Sequence, residues 1–250
     1  MTPQPMKATP CYLYGFIRAT DAQLPPLKGV FDAPVEVQTD GQLSALVSYL
    51  PPGQLRASRA DLLAHSNALD TLFTQFDVLP ASLGTVYQTG FSLDELPSAQ
   101  KRSLLQLLDT LAGQVEFQVK AEYDQSGITR LLVETDARLK RLRTVRKQDH
   151  ATQLAIGSRF AELLEKRRRA DTARAVKLLK RVADRVTVEV PSGEWAAFRL
   201  AILVPRKRLA DADASFAGLA KELDSTAAVT WVGPLPPYSF VQDQPRRRAG

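Results

Sequence analysis

The stretch Thr230-Trp231-Val232-Gly233-Pro234-Leu235-Pro236-Pro237-Tyr238-Ser239-Phe240-Val241 constrains this chain more than any other part of it. Gly233 admits backbone angles that other residues avoid. Pro234, Pro236 and Pro237 fix φ and remove three amide donors. The segment can therefore be neither a helix nor an ordinary central strand. It reads as a strand, a rigid extended turn, and a short edge strand that presents Tyr238 and Phe240 on one face. No step of catalysis requires such a segment.

Upstream, alternation and turn residues divide the chain. Residues 11–17 alternate and carry β-formers, which predicts a strand. Val35 to Thr39 and Leu43 to Leu50 read as a hairpin joined at Asp40-Gly41, a type I′ signal, ended by Pro51-Pro52-Gly53. Ser58 caps a predicted helix to about Phe76 with the stripe Leu62, Leu69, Leu72, Phe73 and Phe76. A strand from Val78 to Tyr87 follows. A second helix, Ser98 to Ala112, buries Leu104, Leu107, Leu108 and Leu111, and Gly113 ends it. The domain boundary is expected here, giving an N-terminal α+β domain of residues 1–112.

Residues 113–243 then read as strand (Val115 to Tyr123), long helix, strand (Arg185 to Val190), strand (Ala196 to Val204), helix (Pro205 to Leu223) and strand (Val229 to Val232). That βαββαβ order is the ferredoxin-like pattern. The expected fold class is thus α+β, with two domains. The last helix buries Leu209, Phe216, Leu219 and Leu223. The long helical region, about Thr135 to Asp184, is the most charged part of the chain, with Gly157 as a candidate break. Its apolar stripe runs through Ile156, Phe160, Leu163, Leu164, Val176, Leu179, Val182, Ala183 and Val186. Residues 244–250, with Arg246-Arg247-Arg248, read as a disordered basic tail.

Several blocks, in order, are similar to one known family. The terminal Gly233-Pro234-Leu235-Pro236-Pro237-Tyr238-Ser239-Phe240-Val241 resembles the C-terminal signature of the GvpF/GvpL family of gas vesicle accessory proteins, close to GPWPPYSFV. Tyr12-Leu13-Tyr14-Gly15-Phe16-Ile17 resembles its opening strand. His65 to Phe76, followed by Val78-Leu79-Pro80-Ala81-Ser82-Leu83-Gly84-Thr85-Val86-Tyr87, resembles its helix and VLP-x-x-FGT-x-F segment. Gly113 to Lys120 resembles its Gly-x-x-Glu strand. Leu235 replaces the usual Trp, and Ala81-Ser82-Leu83 stands where an Arg-Phe pair is commoner. The resemblance implies a non-enzymatic accessory or minor structural protein that binds the hydrophobic shell subunit and other gas vesicle accessory proteins. It implies a cytoplasmic, vesicle-associated location. Within the motif, Gly233, Pro234, Pro236, Pro237, Tyr238 and Phe240 serve structure or partner binding.

Enzyme chemistry is poorly supplied. Of the two histidines, His65 reads as a satisfied, half-buried helix residue and His150 as a solvated one. Neither a metal-binding His/Cys pattern, nor a nucleophile elbow, nor a phosphate-cradling loop is present. Cys11 is the only cysteine, so no internal disulfide forms, and it reads as a small buried hydrophobe. No cofactor or small-molecule substrate is expected. The longest late apolar run, Leu200 to Val204, falls far short of the ~18 residues of a membrane span, so a soluble, cytoplasmic chain is expected.

The net charge of +6 favours acidic partners mildly. Lys166-Arg167-Arg168-Arg169 forms the densest run on the long helix. It can be a solvated face, a surface for an acidic protein partner, or a nucleic-acid contact. For nucleic acid, Tyr12, Tyr14 and Phe16 share one strand face, but the RNA-recognition strand motif is absent, and core packing explains these aromatics more simply. A nucleic-acid-binding module using the basic helix is the alternative reading.

Overall fold

The computed structural model describes residues 9–20, 24–51, 58–144 and 149–241. The expected end of the hairpin at Pro52-Gly53 and the basic tail lie outside those residues. The chain divides into two compact units, Met1–Val115 with Leu235–Gly250, and Glu116–Pro234.

The first unit is built on β1 (Cys11–Arg18). Every residue from Cys11 to Ile17 is buried, as expected of a central strand covered on both faces. β2 (Glu36–Asp40) and β3 (Leu43–Tyr49) form the hairpin. Asp40 pairs with Leu43, so Gly41 and Gln42 are the two loop residues. Gly41 has φ 58° and Gln42 is not left-handed, whereas type I′ needs both central residues left-handed. The turn is therefore not the type I′ expected.

The predicted strand from Val78 to Tyr87 is split into β4 (Val78–Pro80) and β5 (Val86–Tyr87), and both pair with the same edge of β1. A turn at Ser82–Thr85 separates them, closed by Thr85 N donating to Ser82 O at 3.1 Å. Gly84, at φ 81°, supplies its left-handed residue. Ala81 N to Tyr14 O (2.7 Å) and Leu13 N to Thr85 O (3.0 Å) carry the pairing across the gap. The sheet runs β2-β3-β1-β4. Gly15 permits the close approach of β4, because a Cβ there would overlap the Leu79 carbonyl oxygen.

Helix α1 (Arg59–Phe73) begins with a full capping box, Ser58 with Asp61. Its buried line is Asp61, His65, Ala68, Leu69, Leu72 and Phe73. Leu62 is exposed, because polar Asp61 and His65 occupy the core-facing line over the first turns. Helix α2 (Ser98–Leu111) buries Leu104, Leu108 and Leu111, and leaves Leu107 half-buried. Val30–Ala33 is a tight turn with Phe31 and Asp32 both at φ 57°, an uncommon conformation for a bulky residue. Phe31 N donates to Asp61 Oδ1 at 2.7 Å and Val30 N donates to the Tyr14 hydroxyl at 2.8 Å, which holds the turn in place.

The second unit contains β6 (Gln114–Tyr123, beginning just before it), α3 (Gln125–Thr135), α4 (Ala137–Thr144), α5 (His150–Leu179), β7 (Arg185–Glu189), β8 (Ala196–Pro205), α6 (Leu209–Leu223) and β9 (Ala227–Leu235, ending just past it). The strand order is β7-β8-β6-β9. The long helix expected from Thr135 is α4 and α5. Asp136 separates α3 from α4 by accepting from Leu139 N, and Asp149 starts α5 by accepting from Thr152 N. α3, missed in the sequence, starts at Asp124, whose side chain accepts from Gly127 N. α5 runs unbroken through Gly157.

β6 turns Phe117, Val119, Ala121 and Tyr123 inward and leaves Lys120 and Glu122 outside, the alternation of a strand with one packed face. Phe117, Phe216 of α6 and Trp231 of β9 form an aromatic row, with centroids 5.1 and 5.5 Å apart. In α6 Ala212 is buried with Phe216, Leu219 and Leu223, while Leu209 is half-buried.

Candidate functional site

The Pro-rich terminus is not the strand, turn and edge strand expected. β9 continues through Gly233 and Pro234 to Leu235. It lies at one end of the strand order, where a missing amide donor is tolerated. Gly233 lies against β6. A Cβ there would overlap the Phe117 ring and stand 2.8 Å from the Glu116 carbonyl oxygen. Pro236 and Pro237 are buried. Tyr238–Phe240 is a 3-10 turn, with Phe240 N donating to Pro237 O at 3.1 Å. Such winding sends residues two apart in different directions. Phe240 is buried and Tyr238 lies at the surface, so they do not share a face.

The basic run on α5 divides in the same way. Arg167 Nε donates to Asp171 at 2.6 Å. Arg168 donates to the backbone carbonyls of Ala196, at 2.9 Å, and Glu194. Arg169 pairs with Glu165 at 3.0 Å but its side chain is 79% exposed. Lys166 is exposed. Arg168 thus ties α5 to the segment that leads into β8, Arg167 is engaged within α5, and Lys166 and Arg169 face outward. Asp171 is the residue that sequence reasoning missed. It is buried on the helix stripe between Leu164 and Ala175 and also accepts from the Tyr123 hydroxyl at 2.9 Å. Its spacing of four from Arg167 was the available signal.

In the first unit, Tyr12, Tyr14 and His65 form a buried cluster rather than an exposed aromatic face. The Tyr12 hydroxyl lies 3.0 Å from His65 Nδ1 and accepts from Gly84 N at 3.0 Å. The Tyr14 ring stacks on His65, with centroids 5.7 Å apart. His65 is fully buried rather than half-buried, and its Nε2 has no hydrogen-bond partner among the described residues. Burial pushes its pKa down to about 4, so the ring is neutral near pH 7. Burial likewise pushes the Tyr12 phenol up to about 12 and the Cys11 thiol up to about 12. These shifts keep the cluster uncharged, as a core requires.

Among the described residues, no His/Cys/Asp/Glu group could hold a metal ion, and no helix is long and apolar enough to cross a membrane. Exposed apolar side chains are scattered, at Leu63 and Leu83 in the first unit and at Leu154 on α5, and some lie at the ends of the second unit's strand order. Val188 in β7 and Val190 just beyond it are 55% and 90% exposed, and Val232 in β9 is also exposed. An end strand of this kind presents unpaired backbone groups along one side.

Solved gas vesicle proteins share this fold. The crystal structure of the gas vesicle protein GvpF from Anabaena sp. PCC7120 matches with a TM-score of 0.82 at 22% identity, over 94% of this chain and 99% of that one. The GvpF structure from Microcystis aeruginosa matches with a TM-score of 0.78 at 21% identity, over the same shares. Residues 10–242 match the family Gas vesicle synthesis protein GvpL/GvpF, and the chain belongs to that family. Gas vesicle protein F of Streptomyces sp. (strain CB03234) is 30% identical over 240 residues, covering 92% of this chain and 99% of the relative. Gas vesicle protein F of Dolichospermum flosaquae is 25% identical over 239 residues, covering 93% and 98%. The chain is a gas vesicle accessory protein.

Proposed function

We propose that this protein acts without catalysis in gas vesicle assembly, in the cytoplasm and at the vesicle, by binding the hydrophobic shell subunit and other accessory proteins. The observation that carries the reading is the family match across residues 10–242. A shell subunit that lines a gas space exposes apolar surface before assembly, and such patches aggregate. β7, with Val188 and Val190 uncovered, offers an edge on which an extended apolar segment can add as a further strand. The two units act as two domains divided near residues 112–113, and the second is ferredoxin-like, as its βαββαβ order and strand order suggest. The terminal motif from Gly233 to Phe240 acts as a rigid structural corner. Neither a small-molecule substrate nor a cofactor enters this reading.

The test is a pull-down against the shell subunit at moderate salt with a polyanion competitor present. Retention that survives the competitor, and is lost in Val188→Asp/Val190→Asp, supports the reading. Salt-sensitive binding to the polyanion alone would replace it with a nucleic-acid role.

A further inference from the structure

The fold gathers cations that the sequence keeps apart. Helical winding continues past α5, with Ala183 N donating to Leu179 O at 2.9 Å, so Lys177, Lys180 and Arg181 lie within about one turn of each other. Asp184 N donates to Leu203 O at 2.9 Å, and Arg185 pairs with Leu203 across the sheet. β8 ends two residues beyond Leu203, and Arg206, Lys207 and Arg208 follow immediately. Arg208 Nη2 then donates to the Arg181 carbonyl at 2.6 Å, which ties the two segments together. Seven cations from two stretches of chain thus share one end of the second unit.

Carboxylates are few in these two stretches of chain. Asp211 pairs with Arg208 at 3.6 Å, and Asp184 is the other carboxylate in this segment. Among the described residues, Lys177, Lys180, Arg181 and Lys207 are exposed and form no ion pair. Cations at a helix C-terminus favourably meet its dipole, but Arg208 already serves the terminal carbonyl, and the others exceed that need. By contrast, half of the denser run Lys166–Arg169, namely Arg167 and Arg168, is used inside its own unit.

We propose that the cluster of Lys177, Lys180, Arg181 and Lys207 is a docking surface for an acidic polypeptide segment of a partner protein. Lysine-rich point charges on adjacent turns suit carboxylates spaced along a helix or strand. Single-stranded nucleic acid binds through aromatic platforms set among cations. Here the exposed Trp231 sits on β9, at the opposite end of the strand order from β7 and Arg185. The surface is independent of the apolar edge proposed for the shell subunit, so either can fail without the other.

The experiment uses the full chain, a labelled glutamate-rich peptide, and a labelled single-stranded DNA of matched charge. Lys177→Glu/Lys207→Glu is compared with Lys166→Glu/Arg169→Glu, which changes the net charge equally. Circular dichroism checks that both variants are folded. The expected result is peptide binding weakened about tenfold or more by the first variant and less than about threefold by the second. Equal losses in both, absence of peptide binding, or tighter binding of the DNA with the same dependence on Lys177 and Lys207 would each overturn the proposal.

Discussion

Arg167 donates through Nε to Asp171 one helical turn on, at 2.6 Å, and the Asp171 side chain is almost completely buried while that of Arg167 is 29% exposed. The Tyr123 hydroxyl completes the site from β6. This small network joins one turn of α5 to β6 on the buried side of the helix.

Removing Arg167 leaves a buried carboxylate with one neutral donor. Arg167→Ala should destabilise the protein by about 3 kcal/mol, whereas Lys166→Ala, at an exposed neighbour, should change stability by no more than about 0.5 kcal/mol. Urea denaturation midpoints of the two variants give the comparison. Equal midpoints would show that the network contributes nothing.

His65 makes stability depend on pH. Its folded pKa, about 4, lies below its ordinary value of 6.5. Below pH 6.5 the unfolded chain therefore binds a proton that the folded chain does not. Stability is fully present above pH 6.5 and falls as the pH drops toward 4. The expected loss between pH 7 and pH 5 from this group is about 2 kcal/mol. His65→Gln should shrink the difference in urea midpoint between those two pH values. An unchanged difference would mean that His65 is solvated.

Two glycines should respond in opposite directions. Gly233 stands at φ 154° with Phe117 and the Glu116 carbonyl where a Cβ would go. Gly233→Ala should cost about 2 kcal/mol or more. Gly157 lies inside α5 with open space around its Cβ position. Gly157→Ala should therefore stabilise by about 0.5–1 kcal/mol. Thermal melting of both variants checks the pair.

These glycines also show what the sequence could reveal. Local chemistry was legible: the Ser58 cap, the stop at Gly113 and the alternation of β6 depend on near neighbours. Gly157 misled because the propensity penalty of one glycine is small beside the packing of a 30-residue helix. The Pro-rich terminus revealed its rigidity but not its winding, since a 3-10 turn and an extended strand both suit proline φ. α3 was hidden because its cap, Asp124, directly follows a strand. The division of Lys166–Arg169 depends on carbonyls at Glu194 and Ala196, and the burial of His65 depends on β1. Both are contacts between residues distant in sequence.

The most direct test of the assembly role is the solubility of the shell subunit expressed with and without this chain. After centrifugation, the soluble fraction of the subunit should rise when the chain is present and fall back when Val188→Asp/Val190→Asp replaces it. An equal soluble fraction with and without the chain would contradict the account.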